Sequence, residues 1–157
     1  MGHCTLAFML VLILESPGTG GRGEVAMQSA ADSIQARNNE YVQAVRAAIS
    51  GKEEKPAAEV FKNVNIMKTV PAGRLLNIMN FGFSRSLGVS CTHCHVEGRW
   101  ESDDKPAKRI AREMSGMVTK INKELLPSIA DLGSENPIVN CTTCHRGQRK
   151  PALDLPR

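Results

Sequence analysis

The chain has 157 residues, with 20 Lys and Arg against 16 Asp and Glu, for a formal net charge of +4. That length allows one domain plus any processed segment, and so mild a basic excess gives no case for a nucleic-acid-binding protein. The only aromatic residues are Phe8, Tyr41, Phe61, Phe81, Phe83 and Trp100, so side chains alone build a thin core.

Taken in order, the chain opens with an uninterrupted apolar run from Leu6 to Leu14. Nine residues are too few to span a bilayer but suit the central region of a signal peptide. Ser29-Ala30-Ala31 offers a small-residue cleavage site, although no Lys or Arg precedes the run. Cys4 lies ahead of it, badly placed for a lipid anchor. Residues 1–31 are therefore read as a leader. Their removal takes away Glu15, Arg22 and Glu24 and leaves a formal charge of +5.

Residues 32–55 read as a helix and a charged linker. Asp32 is the expected N-cap and Gly51 the stop, with Ile34, Tyr41, Val45, Ala48 and Ile49 on one face. A short segment from Val60 to Met67 leads to Pro71, which suits the first turn of a second helix. That helix carries Leu75, Leu76, Ile78, Met79 and Phe83 and stops at Gly88. Cys91-Thr92-His93-Cys94-His95 follows at once. Pro106 opens a third helix with Ile110, Met114, Met117, Ile121 and Leu125 at spacings of three and four. Lys105, Lys108, Arg109, Arg112, Lys120 and Lys123 form its other face, read as solvated, with Arg109 and Arg112 also considered as partners for cofactor carboxylates. Pro127 ends the helix, a loop reaches Asn140, and Cys141-Thr142-Thr143-Cys144-His145 follows.

Both motifs are C-x-x-C-H, the spacing of covalent c-type haem attachment. Two thiols three residues apart on a tight turn add to the two vinyl groups of a haem, and the next histidine becomes the proximal iron ligand. A zinc ribbon would separate its cysteine pairs by roughly 15–20 residues, whereas residues 96–140 lie between these motifs. A dithiol redox motif would occur once, beside a βαβ pattern, and no strand alternation is visible. The assignment is two covalent haem c groups, tethered by Cys91 and Cys94 and by Cys141 and Cys144, with His95 and His145 on the irons. Two buried porphyrins would supply much of the missing apolar surface. Their propionates would offset most of the positive charge. Haem c attachment is also an activity of the exported compartment, which agrees with the leader.

The remaining histidines are His3, inside the leader, and His93, locked inside the first attachment turn. Neither reaches a distal face, so methionines are the candidates for the sixth ligand. They raise the reduction potential when they complete a His/Met pair. Met79, on the helix entering the first motif, is chosen ahead of Met67. Met114 is chosen ahead of Met117, although spacing alone does not separate two residues three apart on one helical face.

The stretches RSLGVSCTHCH (residues 85–95), DDKPAKRIAREMSGM (103–117) and CTTCHRG (141–147) resemble the cytochrome subunit of photosynthetic reaction centres. The likeness runs from about residue 60 to residue 150 and includes a helix-borne methionine before each haem motif. It implies that Met79 and Met114 match the axial methionines. That family's subunit carries four haems, whereas this chain has motifs for two. Residues 121–140 also hold no histidine where that subunit offers one to a distant haem.

The resulting expectation is a mostly α-helical small multihaem cytochrome c domain with little or no β-sheet. Helix–CxxCH repeats over residues 56–157 pack against each other around two haems. It would be a periplasmic, possibly membrane-associated carrier of single electrons between redox partner proteins, membrane-bound electron-transfer complexes among them. The alternative is a di-haem enzyme, such as a peroxidase, with one open iron.

Overall fold

A computed structural model describes residues 22–154, with side chains from residue 27 onward. The apolar run Leu6–Leu14, Cys4 and His3 lie outside the described residues. Helix α1 spans Arg22–Ala48, so it begins well before the expected cap at Asp32. Ala, Gln, Glu and Met dominate the upstream turns, and these residues propagate a helix readily. Asp32 is accordingly an interior residue, and its carboxylate accepts from Gln28 Nε2 at 3.1 Å. The candidate cleavage site at residues 29–31 lies within this helix. Gly51, at φ +78°, turns the chain out of α1.

The segment after α1 folds back on itself. Ala57 N–H donates to Val70 O and Ala72 N–H to Lys55 O, with Gly73 N–H on Glu53 O. These bonds pin the short helix α2 (Ala57–Val60) beside the start of the next one. Ala57 and Ala72 are fully buried where the two meet.

Helix α3 covers residues 72–87 in three registers: α over Ala72–Asn77, π over Ile78–Ser84 and α again over Arg85–Leu87. The wider turn shows in Arg85 N–H, which reaches back five residues to Asn80 O. Single π segments recur at functional sites, and this one contains Met79. Polar side chains lock it to α1. Asn80 is buried, accepts from Gln35 Nε2 at 2.9 Å and donates to Asn39 Oδ1 at 2.9 Å.

Two hydrogen bonds close the end of α3. Gly88 N–H donates to Arg85 O and Val89 N–H to Ser84 O, with Gly88 left-handed at φ +63°. This is a Schellman cap, which requires a residue tolerant of positive φ. The first C-x-x-C-H motif follows as a 3-10 turn, Cys91–His93.

Helix α4 covers residues 106–125, α from Pro106 to Lys120 and π from Ile121 to Leu125. A 3-10 turn, Leu126–Ser128, holds Pro127 and ends it. The second motif forms helix α5, Cys141–His145, with Asn140 and Thr143 in a reciprocal capping box. No strand is present among the described residues, apart from isolated bridges at Pro56–Pro71 and Val96–Arg99.

The two C-x-x-C-H motifs meet at the end of α3. Ser86 and Thr142 hydroxyls lie 2.6 Å apart, and Gly147 N–H donates to Ser86 O at 2.9 Å. A Cβ on Gly88 would stand 2.0 Å from Gly147 O. Gly88→Ala should therefore cost at least about 1–3 kcal/mol, the order for a side chain held at positive φ, plus the price of separating the motifs. Denaturant unfolding of the variant measures the loss.

Candidate haem-binding sites

The first site is a cavity of about 390 Å³ between α1, α3, α4 and the first motif. Cofactor pockets span roughly 300–1,000 Å³. Its lining includes Val42, Val45, Leu75, Leu76, Phe83 and Leu87, together with Met79, Cys91, Cys94 and His95. One apolar chamber thus holds both thiols, the imidazole and the thioether expected from the sequence. Met67, the second choice, is not among the lining residues. It occupies a left-handed turn at φ +55°.

His95 is oriented by its backbone surroundings. Its Nδ1 lies 2.7 Å from Trp100 O, and the Trp100 ring packs edge-on against it at 6.0 Å. A carbonyl partner makes Nδ1 the protonated nitrogen, which leaves Nε2 with its lone pair. Burial pushes the His95 pKa down, against a partial rise from Trp100 O, so the neutral, ligating form is favoured. Burial also pushes the Cys91 and Cys94 thiols up; the Ser84 hydroxyl opposes this at Cys91 and the Lys105 charge at Cys94. His93 is pushed down by burial, then by Arg149 and Lys105, which places a basic residue beyond the second motif beside the first.

The second set repeats the imidazole geometry in a more open setting. His145 Nδ1 lies 3.0 Å from Gln148 O, which again frees Nε2. Cys141 is half-buried and Cys144 exposed. The candidates Met114 and Met117 sit on an open apolar face of α4, with 37% and 45% of their surface exposed. Ile110 and Leu125 share that exposure.

The donor set fits haem c at the first site: two thiols, an imidazole with Nε2 free and a thioether face an apolar chamber. Zinc would need donors that converge. Among the described residues no group of three or more His, Cys, Asp or Glu is placed to hold a metal ion.

Comparison with known proteins agrees with this chemistry. The family model described as the photosynthetic reaction centre cytochrome C subunit matches residues 13–153. The chain belongs to that family. It is 33% identical over 138 residues to the photosynthetic reaction center cytochrome c subunit of Thermochromatium tepidum, covering 85% of this chain and 31% of the relative. Cytochrome c-554 of Chloroflexus aurantiacus is 31% identical over 83 residues, 53% of this chain and 20% of that protein. The Roseobacter denitrificans subunit is 30% identical over 113 residues, covering 65% of this chain and 30% of its own length. The chain thus spans under a third of the length of these relatives.

Sequence reasoning missed the residues that brace the motifs. Asn38, buried on the otherwise apolar face of α1, donates to Val89 O at 3.2 Å and accepts from Cys91 N–H at 2.9 Å. Asn122, in the π turn of α4, does the same to Val139, with both bonds at 2.8 Å. Val89 and Val139 each stand two residues before the first cysteine of their motif. An asparagine thus grips the backbone entering each C-x-x-C-H motif. The available signal was a lone polar residue on an apolar helical face.

The basic face of α4 also needs correction. Lys108 is buried. Arg112 lines the first cavity and pairs with Asp103 at 3.0 Å, while Arg109 forms an exposed pair with Glu113. Arg112 hydrogen bonding, helped by Asn63 and Lys108, holds the Asp103 carboxyl well below the usual range.

Asn38→Ala should orphan two groups in a closed environment, at about 1–3 kcal/mol each. Asn122→Ala should cost less, because its surroundings are half-exposed and water can replace the amide. Denaturant unfolding of the two variants measures the difference.

Proposed function

We propose that this chain is an exported di-haem c-type cytochrome domain that passes single electrons between periplasmic or membrane-bound redox partners. The observation that carries the reading is the matched treatment of the motif histidines. Each has Nδ1 on a backbone carbonyl and Nε2 free, as a proximal iron ligand requires. The first also shares its cavity with both neighbouring cysteines and Met79. Membership of the cytochrome family supports haem and electron transfer in general; the count of two rests on the two motifs.

In this reading Cys91, Cys94, Cys141 and Cys144 are thioether tethers, His95 and His145 the proximal ligands, and Met79 and Met114 the axial sulfurs. Haem, when bound, supplies the one-electron chemistry. The chain supplies the rest. Valine, leucine and phenylalanine side chains exclude water from the first site, and Trp100 O fixes the tautomer of His95. Residues 1–31 act as the export leader, residues 32–55 as helix and linker, and residues 56–157 as the haem domain. Among the described residues no helix is long and apolar enough to cross a membrane.

The alternative is a di-haem enzyme, of peroxidase type, whose second iron opens to small ligands. Two tightly ligated His/Met irons would not bind peroxide, so the sixth ligands decide between the readings. Met79→Ala and Met114→Ala should each abolish one near-infrared sulfur-to-iron band, lower that haem's potential and open that iron to added ligands. Met117→Ala should leave both bands. Loss of a band in Met117→Ala but not in Met114→Ala would move the ligand by one helical step. A single band in the unsubstituted protein would favour the enzyme.

A further inference from the structure

Lys108 lies on the helical face that reads as solvated, yet only 8% of it is exposed. Its Nζ donates to three backbone carbonyls: Trp100 O at 3.0 Å, Glu101 O at 2.8 Å and Ser102 O at 2.8 Å. It also pairs with Asp103 Oδ1 at 3.3 Å, and Asp103 in turn pairs with Arg112 Nη1 at 3.0 Å. Trp100 O is the same oxygen that receives His95 Nδ1–H. One carbonyl therefore serves both an ammonium and the imidazole of the first motif.

We propose that Lys108 is a positioning residue for His95 that raises the reduction potential of the first haem, an inference that rests on the functional reading above. Two effects act in the same direction. The ammonium draws electron density from Trp100 O, which weakens it as an acceptor and leaves His95 with less imidazolate character. A less basic imidazole stabilises the oxidised iron less well. The fixed positive charge, separated from His95 by one shared carbonyl, also favours the reduced state, which carries one more electron. Because the site is partly closed to water, that charge is screened less than a surface lysine would be. Asp103 moderates the effect as the counter-charge. The three carbonyl bonds also hold residues 100–102 in place, so the acceptor for His95 does not move.

The second site lacks this device. Among the described residues, Gln148 O accepts from His145 and from no lysine. The mechanism therefore acts on one haem of the pair and separates the potentials of two sites that otherwise use the same ligand types.

The test is a potentiometric titration of the holoprotein and two variants. The wave of the first haem is identified as the one that Met79→Ala displaces. Lys108→Gln removes the charge but keeps a donor on the stem, and should lower the first midpoint. Asp103→Asn removes the opposing charge and should raise it. The second midpoint should stay in place in both. A purely structural role would loosen the site in either variant and move both midpoints the same way. A shared direction, an equal shift of both haems, or an unmoved first wave would each overturn the inference. If Lys108→Gln does not take up the first haem, Asp103→Asn decides alone: an upward shift supports the inference, and no shift or a downward one overturns it. An unsubstituted protein with no haem on Cys91 and Cys94 would instead overturn the functional reading, and the inference with it.

Discussion

The arrangement depends on one close backbone approach, between the cap of α3 at Gly88 and the turn after the second motif at Gly147. The left-handed cap sends the chain out of α3 directly into the first motif. The absence of a side chain at Gly88 lets Gly147 O close on it, while Ser86 holds Gly147 N–H and Thr142. One helix end thus terminates the first unit and seats the second. Without that contact, two short cysteine turns would be joined by a helix and a long loop with little else to fix their relation.

Asparagine provides the second level of order. Among the described residues, the buried apolar ones are Ile49, Ala57, Ala72 and Leu75. Amides do what large side chains do elsewhere. Asn38 and Asn122 each form a paired donor and acceptor contact to the backbone before a motif, and Asn80 ties the π turn bearing Met79 to Gln35 and Asn39. Amides satisfied in this way specify geometry, because any other register leaves a donor or acceptor without its partner.

Much of this was legible beforehand, and for identifiable reasons. Pro71, Gly88, Pro106 and Pro127 act through backbone sterics that depend little on context, so helix limits read from them agree with the structure. The start of α1 did not follow from Asp32, because a good capping residue does not stop a helix when the upstream residues also favour one. The π registers of α3 and α4 arise from tertiary packing and leave no period in a short sequence. Lys108 was assigned to solvent because its helical spacing matches its basic neighbours. Its burial depends on the carbonyls of residues 100–102, which no pattern along the helix reveals. The cysteines and histidine of each motif stand out in the sequence because the C-x-x-C-H spacing is short and exact. The carbonyls that orient those imidazoles do not, since any residue type can supply one.

The central claim is that each C-x-x-C-H turn carries its own covalent haem. It is tested most directly by mass spectrometry of protein matured in an exporting host, denatured and then cleaved between the motifs. The account predicts one haem on the fragment containing Cys91 and Cys94 and one on the fragment containing Cys141 and Cys144. A haem on only one fragment, or free thiols on both, would contradict it.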